Sequence, residues 1–347
     1  MLKRVVRLFV GVWLVIALIT ASITIGHALP GGNQIIFTGA DARVSRTRTF
    51  LLDVRATLRY ALPARLGAIT FIDWVTHSQF LLRQAVNRPR YLLFEVGTGA
   101  QALNLPDDCR EGTLRGRGAF LSCAGRQGGG ILVFSTQCAL GNCLNEPHRW
   151  LPGALVSDHQ WSPDGTRIVF SDIALRTSGL AVLDLQDAQV YRIADSLGGI
   201  PAQVSWSPGG ERLAYYTAEP MSVSMRVFNI YRLSDDVSIP LSGAVPDAPP
   251  SWSPDGELLA LFEYDVFGAD VFVFDLNRRS VEWVTEGKGA SAYPRWSPDG
   301  ELLAFYVNRG GQVGLLIADL AGGSEHIAAS LRGSNIVFAW RPCTSGC

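Results

Sequence analysis

The sequence has no excess of charge of either sign. Its 30 lysine and arginine residues are balanced by 31 aspartate and glutamate residues, which gives a formal net charge of −1 over 347 residues. Proteins that bind nucleic acid carry a basic patch or stripe to meet the phosphates, and the sequence contains no such run. It therefore predicts no nucleic-acid partner.

The sequence also lacks the short motifs that mark many catalytic and cofactor sites. It has no Gly-x-Ser-x-Gly nucleophile elbow, no glycine-rich phosphate loop before a helix, and no closely spaced pair among its five histidines. The spacings of its cysteines do not suit zinc, so a zinc site is not indicated. We therefore expect no catalytic activity, no cofactor and no metal site.

What the sequence does have is a repeated phrase. Trp-Ser-Pro-Asp-Gly, or Trp-Ser-Pro-Gly-Gly in one copy, recurs at intervals of 45, 46 and 44 residues, at Trp161, Trp206, Trp252 and Trp296. Pro, Asp and Gly suit successive positions of a tight turn, so we interpret Asp164, Asp255 and Asp299 as turn formers, with Gly209 in their place in the second copy. Two apolar runs follow each turn. The second run ends in an acidic or amide residue that lies 23 positions after the tryptophan: Asp184, Asn229, Asp275 and Asp319. Repeats of this length, with short strands and no helical pattern, are typical of a β-propeller built from four-stranded antiparallel blades.

The same spacing continues in both directions and predicts seven blades. One period before Trp161 lies Gly116, and a further period back lies Trp74; one period after Trp296 lies Trp340. The last unit has one strand, and apolar runs at 34–37, 50–53 and 57–60 would supply its other three. We therefore predict an all-β, seven-bladed propeller over residues 31–347, closed by pairing of the C-terminal strand with the N-terminal blade. The repeat tryptophans are predicted to pack between blades: Trp74, Trp161, Trp206, Trp252, Trp296 and Trp340.

Residues 1–28 have the features of a membrane anchor or signal peptide. Lys3, Arg4 and Arg7 precede an uncharged apolar stretch at 8–26, which as a helix would span roughly 28 Å, close to the thickness of a bilayer. The positive flank favours an anchor that leaves the propeller on the extracytoplasmic side, periplasmic or extracellular. Cleavage near Ala28, which would give a secreted protein, stays open as the alternative.

The six cysteines lie outside the four clear repeats, and an exported protein would use them in structural disulfides. They are Cys109, Cys123, Cys138, Cys143, Cys343 and Cys347. Proximity favours two small loops, 138 with 143 and 343 with 347, which leaves 109 with 123. The sequence alone does not choose among the possible pairings.

The repeated phrase, its apolar strand and a later Asp-Leu pair resemble the WD40-like propeller repeats of the TolB family. The Asp-Leu pairs are Asp184–Leu185, Asp275–Leu276 and Asp319–Leu320. The repeats are also similar to the non-catalytic propeller of prolyl-oligopeptidase-type peptidases. The resemblance implies an extracytoplasmic propeller that binds another macromolecule. TolB proteins carry an α/β domain before the propeller; here the predicted strands begin just after the apolar segment, so we expect no such domain.

Partner-binding residues are expected on the loops at one mouth of the central channel. By analogy with other propellers, the segments that enter each innermost strand share this face with the loops between second and third strands. The candidates are Asp73, Asp158, His159, Met221, Tyr264, Phe267, Tyr293, Arg295 and Arg309. Exposed aromatic residues beside mixed charges are typical of a protein-binding surface. For His159 a satisfied hydrogen-bonding role at the channel rim is an equal alternative.

These features predict a membrane-anchored, extracytoplasmic propeller that acts as a non-catalytic binding or scaffolding module for a protein of the cell envelope. The alternative is a carbohydrate-active hydrolase or lyase. That alternative needs two or more carboxylates converging within about 10 Å at the channel mouth. Asp73 and Asp158 are the clear candidates, on blades that are not adjacent.

Overall fold

The chain is all-β. The computed structural model describes residues 34–41, 47–54, 58–63, 66–86, 89–109, 113–124, 130–141, 148–152, 154–172, 179–195, 204–219, 222–241, 248–264, 268–287 and 289–342. Apart from strands, these ranges contain a 3-10 turn at Asp107–Cys109 and a four-residue helix, α1, at Thr136–Ala139. Within them, no helix has the length and apolarity needed to cross a membrane. The predicted targeting segment at 1–28 lies outside them.

The strands follow one another as antiparallel sheets of four. The chain begins with β1 (Gln34–Asp41), β2 (Thr47–Asp53) and β3 (Leu58–Ala61). The first complete sheet contains β4 (Ile69–Trp74), β5 (Gln79–Gln84), β6 (Arg90–Glu95) and β7 (Gly99–Ala102). The second contains β8 (Leu114–Arg117), β9 (Phe120–Ala124), β10 (Ile131–Ser135) and β11 (His148–Trp150). The third contains β12 (Val156–Trp161), β13 (Arg167–Asp172), β14 (Gly179–Asp184) and β15 (Val190–Asp195). The fourth contains β16 (Val204–Trp206), β17 (Arg212–Glu219), β18 (Ser222–Arg232) and β19 (Val237–Leu241).

The remaining strands belong to a longer connected ladder. They are β20 (Ser251–Trp252), β21 (Leu258–Tyr264), β22 (Ala269–Asp275), β23 (Ser280–Trp283), β24 (Ala290–Trp296), β25 (Leu302–Arg309), β26 (Gln312–Asp319) and β27 (Ser324–Trp340). The long strand β27 pairs with β26 through its N-terminal half and with β1 through its C-terminal half, where Trp340 lies opposite Ile35. Four-stranded antiparallel sheets in series are typical of a propeller, as predicted.

The middle strands are apolar on both faces because neighbouring sheets cover both. Every residue of β14 is buried, and the side chains of Leu81 and Leu82 are both fully buried although they point to opposite faces. In a strand that is covered on both faces, polar and apolar residues do not alternate. The sequences of the middle strands show this lack of alternation.

The repeat tryptophans connect each sheet to the one before it. The indole nitrogens of Trp206, Trp252 and Trp340 donate to backbone carbonyls of the preceding sheet, at 3.4, 3.3 and 2.9 Å. The acceptor in each case is the residue directly before the preceding tryptophan, so the same bond recurs with the repeat. These tryptophans are at most 8% exposed. These three tryptophans therefore supply both apolar packing and a hydrogen bond between sheets.

The repeated turns are held by their own side chains. In the first copy, the Ser162 hydroxyl donates to Asp164 at 2.5 Å and accepts the backbone N–H of Arg167 at 2.9 Å. In the third and fourth copies, Asp255 and Asp299 accept from their serines at the same distance. The final glycine of each copy has φ between +71° and +76°, a left-handed conformation that glycine adopts without strain. The turn aspartates therefore have the structural role that the repeat indicates.

The copy without a turn aspartate offers a direct test. A Cβ at Gly209 would meet no atom within 4 Å, so Gly209→Asp should fit and accept bonds from Ser207 and the Glu211 amide. We expect it to raise the free energy of unfolding by about 1 kcal/mol, from the added hydrogen bonds and a less flexible unfolded chain. Gly210→Ala, at φ +71°, should lower it by about 1 kcal/mol. Urea unfolding of both variants measures the difference, and a destabilised Gly209→Asp would contradict this account.

The strand register corrects one equivalence predicted from spacing. The first residue of the second strand lies opposite Asp184, Asp275 and Asp319 in three sheets. In the sheet of β16–β19 the corresponding residue, Arg212, lies opposite Arg232 and not Asn229. The hairpin between β17 and β18 holds more residues than its counterparts, so counting from the tryptophan selects the wrong position.

The cysteines of the second sheet form disulfides. Cys109 is bonded to Cys123, with 5.4 Å between their Cα atoms, and this confirms the predicted pair. Cys138 is also disulfide-bonded. Its expected partner at 143 and the pair 343 and 347 lie outside the described ranges.

Candidate functional site

Three charged residues meet on the first strands of three successive sheets. Asp73 is on β4, Arg115 on β8 and Asp158 on β12. The Arg115 Nη2 atom lies 3.1 Å from Asp158 Oδ1, and the field of Arg115 also acts on Asp73. The two carboxylates on non-adjacent blades are thus brought together by an arginine from the blade between them. The side chain of Asp158 is 42% exposed, so the cluster is open to a ligand.

The carboxyl of Asp73 is the most perturbed acid of the cluster. Burial raises its pKa to about 6, against the lowering effects of Arg115, the Trp74 backbone amide and Arg117. The Trp74 amide donates to Asp73 Oδ1 at 2.8 Å, and the negative charge of Asp158 raises the pKa further. A carboxyl with this pKa exchanges its proton near neutral pH, which is the property required of a general acid or base.

The sequence did not single out Arg115 because its repeat lacks the tryptophan. Gly116 occupies the tryptophan position, one period before Trp161, and Arg115 therefore corresponds to the residue directly before the tryptophan, as Asp73 does. A Cβ at Gly116 would lie 2.7 Å from Val75 Cγ2 on the preceding sheet, so a larger residue does not fit. The repeat spacing predicted the position of this strand. Only the packing of the strand against its neighbours showed that Arg115 belongs to the cluster.

Arg117 and Arg295 are engaged with backbone carbonyls. Arg117 donates from Nε to the Pro163 carbonyl at 2.8 Å, with a second bond from Nη2 to the same oxygen, and so ties the turn at 162–165 to the preceding sheet. Arg295 donates to the carbonyls of Pro249 and Pro294 at 3.3 and 3.0 Å, and burial lowers its pKa. Arg295 is therefore not part of the Asp73 cluster.

His159 lies inside the interface between the second and third sheets. It is 1% exposed; its Nε2 lies 2.8 Å from Ser122 Oγ and its Nδ1 lies 3.2 Å from Thr113 Oγ1. The indole of Trp161 donates to the same Ser122 oxygen at 2.7 Å, so the serine proton is available to a neutral imidazole. Burial lowers the pKa of His159 to about 3. At this buried position the His159 side chain does not face a partner. Its two hydrogen bonds fit the alternative prediction, that His159 is a satisfied hydrogen-bonding residue.

The predicted aromatic residues lie together on a different part of the fold. Tyr264 and Tyr293 both pack on Phe262, with ring centroids 5.4 and 5.1 Å away, and are 50% and 38% exposed. Tyr293 has φ +58°, an unusual conformation for tyrosine. Arg309 forms an ion pair with Glu325 at 2.8 Å. Met221 and Phe267 lie outside the described ranges.

No group of three or more histidine, cysteine, aspartate or glutamate side chains in the described part of the chain is arranged to hold a metal ion. At the cluster, Asp73 can transfer a proton and Arg115 can attract a negative charge.

Comparisons with solved structures find the fold in proteins of diverse function. No protein-family model matches the sequence, and no curated protein matches it. TolB from Acinetobacter baumannii has a TM-score of 0.55 at 16% identity, over 91% of this chain and 69% of that one. An oligogalacturonate lyase in complex with manganese has a TM-score of 0.60 at 15% identity, over 87% of this chain and 86% of the lyase. A Mycobacterium tuberculosis puromycin-hydrolyzing peptidase has a TM-score of 0.62 at 13% identity, over 89% of this chain and 55% of the peptidase.

The prediction that this protein has no catalytic activity is wrong, because the fold it was based on also occurs in enzymes. Two of these three similar structures are enzymes, a lyase and a peptidase, so a TolB-like fold does not indicate a non-catalytic protein. The absence of short motifs excluded only the sites that such motifs mark. Groups on separate first strands, such as Asp73 and Arg115, leave no local pattern. At these identities the comparisons establish a fold shared with TolB and with enzymes.

Proposed function

We propose that this chain is a membrane-anchored, extracytoplasmic, seven-bladed propeller that binds an anionic saccharide at Asp73, Arg115 and Asp158 and acts on it by proton transfer. Residues 31–347 would form the propeller as a single domain, and 8–26 would hold it at the membrane. The disulfide between Cys109 and Cys123 supports the extracytoplasmic location, because such bonds persist in oxidising compartments.

The contacts between first strands support a closed ring of seven blades. β4 contacts β8, β8 contacts β12, β16 contacts β20, β20 contacts β24, β24 contacts β27, and β27 contacts β4. The bond from Trp206 to Gln160 links β12 with β16. The sequence of neighbours returns to its start after seven first strands, with β27 as the seventh. In such a ring the Asp73 cluster lies beside the central channel, where propeller sites are found.

The observation that carries the proposal is the placement of Asp73, Arg115 and Asp158 on three contacting first strands, where burial raises the pKa of Asp73 to about 6. At neutral pH this carboxyl is largely ionised and can take a proton from a substrate carbon or hydroxyl. Once protonated it can return the proton to a leaving oxygen. Asp158, paired with Arg115 at 3.1 Å, keeps the arginine oriented toward the cluster.

Arg115 favours a substrate that carries a carboxylate. A guanidinium binds carboxylate oxygens through parallel N–H bonds, and its charge stabilises the enolate that forms when a neighbouring carbon loses its proton. With a uronate, Asp73 would take the proton from the carbon next to the carboxylate. The electron pair would form a carbon–carbon double bond as the glycosidic oxygen leaves with a proton. The similar structure whose title names oligogalacturonate, matched over most of both chains, supports this substrate class.

The proposal is tested with purified full-length protein and two sets of oligosaccharides of equal length. Oligogalacturonates should be shortened, with an unsaturated end visible by ultraviolet absorbance and mass spectrometry. Neutral gluco-oligosaccharides serve as the matched control and should be unchanged. Shortening of neither set, under conditions in which the protein is folded and supplied with divalent cations, would contradict the proposal.

A second candidate, binding of an envelope protein, is favoured by the exposed Tyr264 and Tyr293 on Phe262. An aromatic pair of this exposure suits the core of a protein interface. Cross-linking from membranes separates the two candidates: a discrete protein captured by the wild type and lost in Tyr293→Ala, with no change in oligosaccharides, would replace the first candidate by the second.

A further inference from the structure

A cavity of about 690 Å³ lies away from the Asp73 cluster, between the third, fourth and following sheets. Four arginines line it: Arg167, Arg212, Arg232 and Arg279. Among the described residues of the lining, Glu211 alone is acidic, and the apolar side chains include Ile230, Leu233 and Leu276. Its volume is in the range of small-molecule sites.

Two of these arginines face each other across a strand pair. Arg212 on β17 lies directly opposite Arg232 on β18, and directly opposed residues point to the same face of a sheet. The corresponding pairs in the other sheets are Arg167 with Asp184, Leu258 with Asp275 and Leu302 with Asp319. The repeat thus provides a carboxylate at this position three times, and this sheet has replaced it by a second positive charge. Like charges in direct opposition destabilise a sheet, and a bound anion would reduce this repulsion further than the ion pair of Arg232 with Asp235 at 2.6 Å does alone.

Local contacts orient the guanidinium groups and leave donors available. Arg212 lies over the Trp252 ring at 5.2 Å and donates to the Gly256 carbonyl at 2.7 Å. Arg167 donates from Nε to Asp184 at 3.0 Å, and Arg232 donates from Nη1 to Asp235 at 2.6 Å. Each of these bonds uses one nitrogen of the three in a guanidinium, so the other N–H groups can meet a ligand.

We infer that this cavity binds a phosphate monoester carried on a partly apolar molecule. Arginines match phosphate oxygens in charge and in the geometry of paired N–H bonds. The wall formed by Ile230, Leu233 and Leu276 accommodates the apolar part. The site is separate from the Asp73 cluster and does not depend on the reaction proposed there.

The test uses full-length protein, with phenyl phosphate and inorganic phosphate as probes in isothermal titration at constant ionic strength. Arg232→Asp places opposite Arg212 the residue type that three other strand pairs have at this position, which offsets the loss of the Arg232–Asp235 ion pair, so the variant should fold. We expect it to weaken phenyl phosphate binding at least about tenfold. Arg83→Asp, on the exposed side of β5, makes the same change in charge outside the cavity and should bind as the wild type does.

Loss of phenyl phosphate binding in Arg232→Asp alone would support the site. No binding by the wild type, or equal loss in both variants, would overturn it. Inorganic phosphate should bind more weakly than phenyl phosphate because it does not cover the apolar wall. Equal affinity for the two probes would overturn the assignment to an ester.

Discussion

Asp73→Asn should lower turnover of the uronate substrate by about 10²–10⁴-fold while making the protein more stable at pH 7.5. Asparagine keeps the oxygen that accepts from the Trp74 amide at 2.8 Å but cannot exchange a proton. The loss in turnover should appear in kcat, since Arg115 and Asp158 remain to bind the substrate. A variant that turns over like the wild type would remove Asp73 from the reaction.

The gain in stability follows from the raised pKa. The carboxyl titrates near pH 3.8 in the unfolded chain and near pH 6 in the fold. The folded state therefore holds this proton more tightly, and the contribution of Asp73 to stability is highest below pH 3.8 and is lost as the pH rises through 6. Above pH 6 the ionised group costs about 2–3 kcal/mol, which Asp73→Asn removes. Urea unfolding at pH 7.5 and pH 4 should give a gain at the higher pH that nearly vanishes at the lower one. Equal stability of the two proteins at pH 7.5 would contradict the raised pKa.

Acidification should destabilise the fold through His159, by about 3 kcal/mol between pH 7 and pH 4. Its pKa is lowered to about 3 in the fold by burial, and by Arg115 nearby, against an ordinary value of 6.5. Stability from this group is complete above pH 6.5 and is lost as the pH falls toward 3, because the unfolded chain takes up the proton first. The charged imidazole would have to form between Ser122 and Thr113 without water.

In the wild type this loss is partly offset by Asp73, which becomes more favourable over the same interval. The two contributions separate in single variants. His159→Gln should be less stable at pH 7, by about 1–2 kcal/mol, because its bonds to Ser122 and Thr113 change, yet it should lose less stability on acidification. His326→Gln, at an exposed position on β27, is the matched control and should follow the wild type. Parallel unfolding curves for His159→Gln and the wild type from pH 7 to pH 4 would contradict this assignment.

The tertiary structure decided the features that depend on contacts between distant strands. Spacing placed Asp73 and Asp158 on separate blades, but only the packing of β4, β8 and β12 brought Arg115 between them. No periodicity marks Arg115, since the tryptophan of its repeat is a glycine that makes room for Val75. The same holds for Arg232, whose position opposite Arg212 depends on the length of a hairpin. From the sequence, a partner-binding role and a satisfied hydrogen-bonding role at the channel rim were equally good interpretations of His159 until its partners on the neighbouring sheet were known.

The sequence by itself determined the repeating element: the turn with its aspartate and left-handed glycine, the apolar second and third strands, and the tryptophan that connects sheets. These features are local or recur at one fixed interval, so they can be recognised in a single amino-acid sequence. The pKa of Asp73 and the neutrality of His159 depend on burial and on charges from other sheets. The opposition of Arg212 and Arg232 depends on the register of two paired strands. These properties arise only when residues about 20 to 85 positions apart come within a few ångströms, because desolvation and Coulomb interactions act through space and not along the chain.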